Sequence, residues 1–209
     1  GMLECEPVFA SYLENGADRL HGSPFAAFSC ASSADHIATH LNFMGPKTTF
    51  MTACSSGATA IGYAADLIRQ KAARVVICGG TEPLCRITYS AFNALQAVDP
   101  DHCKPFDRHR RGMSLGEGAA ILILESLDHA LQRGARIYGE MLGCGISCDA
   151  NHMTAPDPKA TGAVGAMTAA LADAGISPKD VDYINAHGTG TPANDIMEIR
   201  GIKTVFGSR

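Results

Sequence analysis

Apolar positions along the chain alternate between short continuous runs and longer segments with helical spacing. The runs predict strands and the spaced segments predict helices. Thr48-Thr49-Phe50-Met51 is a short β-prone run, and residues 58–70 behind it repeat with helical period. Residues 74–80 form an unbroken apolar run closed by Gly79-Gly80, as in a strand buried on both faces. A helix is predicted over 83–98, a strand over 119–124, and a short amphipathic helix over 127–133, stopped by Gly134. Residues 137–147 have strand character interrupted by Gly139, Gly143 and Gly145, and 159–174 read as an alanine-rich helix. A strand at 181–185 and a helix at 195–205 complete the alternation. Nearer the start, Ser32 or Ser33 caps a helix running to Leu41, ahead of Gly45-Pro46. Residues 2–30 read as irregular, with turn signals at Asn15-Gly16 and Gly22-Ser23-Pro24. The expected class is α/β, a largely parallel sheet covered by helices, with no linker between independent domains.

Composition narrows the partners. The 209 residues are 46% hydrophobic and 18% charged, enough for a real core. A net charge of −4 leaves no basic footprint for nucleic acid. The longest apolar stretch, 119–124, is far below the ~20 residues of a membrane span, so no membrane partner is expected. The start at 2–6 is acidic and carries no secretory pattern, and Gly1 before Met2 reads as a residue left by tag removal. Eight scattered cysteines with no C-x-x-C pair suit reduced thiols in a cytoplasmic protein rather than disulfides or zinc.

One cysteine stands out. Thr52-Ala53-Cys54-Ser55-Ser56-Gly57 places Cys54 between a strand-like run and a helix start, among residues small enough to admit a substrate carbonyl. Backbone N–H groups at a helix N-terminus favour the thiolate, so Cys54 is a candidate nucleophile, against the alternative of a structural cysteine. The second chemical stretch is Asn185-Ala186-His187-Gly188-Thr189-Gly190-Thr191-Pro192, beyond the end of the 181–185 strand. Ligands in α/β sheets bind at such strand ends. A cysteine and a histidine in two such loops serve either a hydrolase, with His187 as base, or a condensing enzyme, with His187 as hydrogen-bond donor to a thioester oxygen. Spacing leaves both open.

Other features carry less. His36 and His40 lie at i, i+4, but Ile37 stands where a metalloprotease helix needs Glu. Gly116-Glu117-Gly118 leads into a strand, not into the helix a dinucleotide site requires. Asp107, Arg108, Arg110 and Arg111 read as a solvated loop or as a docking patch for an acidic carrier.

The two motifs together resemble those of β-ketoacyl synthases, nearest in type to synthase II of fatty-acid synthesis. Cys78-Gly79-Gly80-Thr81-Glu82, Pro105-Phe106-Asp107-Arg108, the run from Gly112 to Ala119, Asp149-Ala150-Asn151-His152-Met153-Thr154, and Asp195 with Glu198 join the match. The resemblance implies a thiolase-like fold, here partial. Residues 2–135 would belong to the nucleophile-bearing half, and 136–209 would begin the half with the His187 loop. It implies acyl transfer to Cys54 from an acyl carrier protein, then decarboxylative Claisen condensation with a malonyl carrier in fatty-acid or polyketide synthesis. It implies no metal or cofactor, and a homodimer. Cys54 and His187 would be catalytic, with the Cys54 N–H an oxyanion donor; Thr189 and Thr191 would bind pantetheine, and Asp195 and Glu198 would organise the site. Cys rather than Gln at position 54 separates the chain from cysteine-free chain-length factors. The family's Lys-Ser-x-x-Gly-His segment and Gly-Phe-Gly-Gly-type loop do not occur among these residues. Condensation by this chain alone is therefore expected to be impaired, since one lost donor typically slows such a reaction by ~10²–10³. Two alternatives remain: a non-catalytic chain that pairs with another, and a Cys–His thioester hydrolase.

Overall fold

The computed structural model describes residues 2–16 and 29–207. The first element corrects the expectation of irregular structure: α1 is a helix, Met2–Asn15, with Pro7 inside it. Proline removes one backbone donor and lowers the helical signal, but Phe9 and Tyr12 at i, i+3 stack with ring centroids 6.4 Å apart. The Asn15-Gly16 turn signal survives as the stop, where Gly16 takes φ 73° and donates to the Tyr12 carbonyl at 2.9 Å. The Gly22-Ser23-Pro24 signal lies outside the described residues.

Next come α2, Ser32–His40, and a 3-10 turn, Ala53–Ser55, that runs directly into α3, Ser56–Arg69. Strand β1, Val75–Glu82, pairs with β2, Gly118–Glu125. Helix α4, Arg86–Ala94, is shorter than expected because Gln96 turns at φ 54° and Val98 enters a parallel bridge with Met113. After β2 follow α5, Leu127–Gln132, and α6, Thr161–Ala174, closed by Gly175 at φ 66°. A Ser177–Asp180 capping box precedes the last helix, α7, Pro192–Phe206.

The α/β alternation holds, but the pairing differs from a largely parallel sheet. The Ser126 N–H meets the Arg74 carbonyl at 3.3 Å, while Gly79 faces Ala120 and Ile121. Numbers rise on one strand as they fall on the other, so β1 and β2 are antiparallel. Residues 137–147 and 181–185 carry no strand ladder among the described residues. A strand exists only with a neighbour to take its N–H and C=O groups, and an apolar run supplies none by itself.

Among the described residues, those within 1–61, 77–91 and 116–122 form one compact unit, and those within 62–76, 92–115 and 123–209 form the other. Buried apolar positions are small in both: Ala38, Cys78 and Cys85 in the first, Ala64, Ala65, Ala130 and Ala160 in the second. In the second, α6 packs on α7, with Gly201 against Ala163 and Met167. The segment 143–145 lies against the backbone of α6. Large apolar side chains such as Ile123 and Tyr183 stay exposed, and among the described residues the largest fully buried side chain is a carboxylate, Asp195. No helix among the described residues is long and apolar enough to cross a membrane.

Candidate functional site

Cys54 sits in the middle of the 3-10 turn that opens α3 and is exposed. The turn is built by small hydroxylated neighbours. The Ser55 hydroxyl donates to the Thr52 carbonyl at 2.7 Å, and the Ser56 hydroxyl donates to the Ala53 carbonyl at 2.7 Å. Ser56 Oγ also accepts the Thr52 N–H at 2.9 Å, and the Thr52 and Thr59 hydroxyls lie 3.1 Å apart. Ala53 takes φ 52°, a left-handed conformation that a non-glycine residue adopts only when its surroundings hold it there. The Cys54 side chain is therefore aimed by a strained, cross-braced turn.

The His187 loop belongs to the second compact unit, as do Thr189, Thr191, Asp195 and Glu198. Thr191 caps α7 with extended backbone and Pro192 occupies its first position, where a missing N–H is tolerated. The first turns of α7 then deliver two carboxylates back onto the loop. Glu198 accepts the N–H groups of His187 at 2.5 Å and Gly188 at 2.8 Å. Asp195, 1% exposed, accepts the Gly190 N–H at 3.1 Å. Asn194 donates to both acids, at 3.2 and 3.3 Å. The Thr189 and Thr191 hydroxyls are 2.8 Å apart. Gly190, at φ 74°, lies so close to the Gly112 carbonyl and Cys103 Sγ that a side chain would collide with them. Five of the six proposed site residues thus form one hydrogen-bonded loop-and-helix unit. Cys54, in the other compact unit, stands in its own turn.

Further residues take part that the sequence reading did not connect with the His187 loop. The second Asp195 oxygen accepts the Phe106 N–H at 2.6 Å and lies 3.4 Å from Arg110 Nε. Arg110, its side chain only 14% exposed, also donates to the carbonyls of Asp107 at 2.9 Å, Thr191 at 3.4 Å and Pro192 at 3.0 Å. The Cys103 thiol donates to the Thr189 carbonyl at 3.2 Å. The arginine run is therefore neither a uniform solvated loop nor a uniform patch. Arg111 pairs with the buried Asp99 at 3.2 Å, and Arg108 is exposed. The Asp101 N–H, aided by Arg111 and Lys104, holds the Asp99 carboxyl below its ordinary range against the opposing effect of burial. The presence of the two matched motifs, at 105–108 and 185–192, was the available signal, but nothing local in either says that one braces the other.

Among the described residues no group of three or more His, Cys, Asp or Glu side chains is placed to hold a metal, and His36 and His40 are exposed on α2.

Comparison with known proteins adds family-level findings. The family description "Beta-ketoacyl synthase, N-terminal domain" matches residues 10–130, and "Beta-ketoacyl synthase, C-terminal domain" matches 138–209. The chain is 48% identical to 3-oxoacyl-[acyl-carrier-protein] synthase 2 of a Synechocystis strain, covering 100% of this chain and 52% of that protein. It is similar to the ishigamide ketosynthase/chain length factor structure, with TM-score 0.94 and 38% identity over 99% of this chain and 51% of that one. It is also similar to the AntDE:AntF structure, a ketosynthase with its type II polyketide acyl-carrier protein, with TM-score 0.92 and 33% identity over 98% and 53%. The chain spans about half the length of the curated relatives it matches.

Proposed function

The chain belongs to the beta-ketoacyl synthase family, and on that premise we propose that it carries the acyl-accepting and histidine-loop parts of a 3-oxoacyl-carrier-protein synthase with a thiolase-like α/β fold. The observation that carries the reading is the Glu198 carboxylate holding the backbone N–H groups of both His187 and Gly188. A preorganised donor stabilises developing charge only if its backbone does not reorganise during the reaction.

In this reading Cys54 Sγ attacks the carbonyl of an acyl thioester on a carrier protein. The carbon–sulfur bond to the carrier breaks, the carrier leaves as its free thiol, and the acyl group stays on Cys54. A malonyl thioester then loses CO2 to give an enolate, whose oxygen accepts a hydrogen bond from His187. The enolate carbon attacks the acyl-Cys54 carbonyl, a carbon–carbon bond forms, and Cys54 departs as thiolate. The product is a 3-oxoacyl thioester on the second carrier. Thr189 and Thr191 offer hydroxyls to the pantetheine arm, and Asp195 and Glu198 hold the loop. The chemistry asks for no metal or organic cofactor.

The division into a nucleophile-bearing part, 2–135, and a histidine-bearing part, 136–209, belongs to the same proposal. It is supported by the two stretches matched separately at 10–130 and 138–209. An acyl-carrier protein is the proposed partner, supported by the carrier bound in the AntDE:AntF structure. A second copy of the chain and a cytoplasmic setting complete the reading.

Intact-mass spectrometry after mixing with acyl-carrier protein tests it. A stable acyl adduct that disappears in Cys54→Ala is the expected result. Absence of an adduct at every pH overturns the reading in favour of a non-catalytic chain, and rapid release of free acid overturns it in favour of a thioester hydrolase.

A further inference from the structure

We propose that Arg110 is a positioning residue of the His187 loop, acting by fixing the N-terminus of α7 so that Asp195 and Glu198 clamp the loop in register. The inference rests on the functional reading of His187. Arg110 spends three nitrogens on four partners: Nε on the Thr191 carbonyl and Asp195, Nη1 on the Asp107 carbonyl, and Nη2 on the Pro192 carbonyl. Thr191 and Pro192 are the cap and first residue of α7. Asp195 and Glu198 follow within two turns, so the angular setting of the helix start moves both carboxylates together. One of them holds Gly190 and Phe106, and the other holds His187 and Gly188. Arg110 is thus one bond from Asp195 and two elements from the histidine, with every intervening contact made.

Helix stabilisation does not account for this placement. The N-terminus of α7 carries positive partial charge, and a guanidinium there works against the helix dipole. What compensates is the carboxylate of Asp195 and the two carbonyls, all of which belong to the loop junction. Lysine cannot reproduce the arrangement, because a single ammonium on a flexible stem lacks the planar fork that serves three directions at once.

The test is made on the folded chain by carbon-13 NMR of the histidine rings, with the His187 signal assigned by its loss in His187→Gln. Arg110→Lys and Arg110→Met are compared with the wild type, alongside their melting temperatures. The expected result is a shifted or broadened His187 ring signal in both variants, with the His129 signal unmoved and Arg110→Lys recovering most of the melting temperature. Recovery of stability without recovery of the His187 signature separates positioning from bulk support. An unchanged His187 signal in both variants overturns the proposal, and so does failure of both to fold, which assigns Arg110 to stability alone. Should only Arg110→Met fail to fold, Arg110→Lys carries the test. Failure of Cys54 to accept an acyl group would overturn the functional reading instead, and the ring signal is read independently of it.

Discussion

The Glu198 carboxylate takes the His187 backbone N–H at 2.5 Å and, through its other oxygen, the Gly188 N–H at 2.8 Å. An acid eleven positions downstream therefore fixes the backbone on which the histidine stands. Charged acceptors of this kind contribute about 1.5–3 kcal/mol each before solvent exposure reduces it. Glu198→Ala is expected to lower unfolding free energy by about 1–3 kcal/mol, and Glu198→Gln, which keeps one acceptor, by less. Urea unfolding of the three proteins measures this. Hydrogen exchange at the Gly188 amide should accelerate in the order wild type, Gln, Ala, and equal protection in all three would show that the clamp is not what orders the loop.

The Cys54 turn stores strain of a different sort. Ala53 holds φ 52°, which disfavours any residue with a Cβ. Ala53→Gly is expected to stabilise the fold by about 0.5–1 kcal/mol, the relief of strain exceeding the greater freedom glycine gives the unfolded chain. Ala53→Val is expected to destabilise it by about 1–3 kcal/mol, since a β-branched side chain tolerates that backbone least. Alkylation of Cys54 by iodoacetamide, followed alongside thermal melting, reports whether the thiol keeps its presentation. A glycine variant less stable than wild type would contradict the strain assignment.

The unequal legibility of these features has a physical cause. The cysteine turn is local: Ser55 and Ser56 bond to carbonyls three residues away, so a reading of adjacent residues locates it. The His187 loop was visible for the same reason, its glycines and threonines announcing a constrained backbone. Arg110 was not, because its burial depends on Thr191, 81 positions away, and charge alone suggested solvent. Helix α1, Met2–Asn15, was missed because turn signals at Asn15-Gly16 and Gly22-Ser23-Pro24 were extended to the residues before them, although such signals mark where a helix stops and not what precedes it. The apolar runs at 137–147 and 181–185 were read as strands, yet strand pairing is a property of two segments and cannot be read from one. The glycines at 143 and 145 were noticed as interruptions. Their purpose, close approach to α6, appears only when the helix is in place.

An acid-sensitive clip joins β2 to α5. Glu125 receives two bonds from Arg133 and one from His129 Nδ1 at 2.6 Å, and Arg133 first, then His129, hold its carboxyl down from 4.5 to about 2. A carboxyl depressed in the folded state adds stability above its unfolded value and loses it as pH falls toward the folded value. The contribution is therefore complete above about pH 5 and fades between about pH 4.5 and 2. Glu125→Gln is expected to be less stable than wild type at pH 7, with the gap closing as pH falls through that window. Denaturant midpoints of both proteins across pH 2–7 measure it, and a gap that stays constant would remove the clip from the acid response.

Close approach of 143–145 to α6 makes the sharpest stability forecast. A Cβ on Gly145 would fall 2.5 Å from the Ala170 nitrogen and still closer to the Ala166 carbonyl, and one on Gly143 would fall 2.5 Å from the Ala174 nitrogen. These are backbone atoms of a regular helix, which cannot rotate away as a side-chain tip would. Inserting a methyl into such a contact shifts whole segments, and overpacking of this kind destabilises by about 1–3 kcal/mol or more. Gly139, in the same run, has nothing within 4 Å of its Cβ direction. Gly145→Ala and Gly143→Ala are therefore expected to lose about 3 kcal/mol each, while Gly139→Ala stays within about 0.5 kcal/mol of wild type. Thermal melting of the three variants decides it. Equal effects at 139 and 145 would mean that the glycines serve chain flexibility rather than contact with α6.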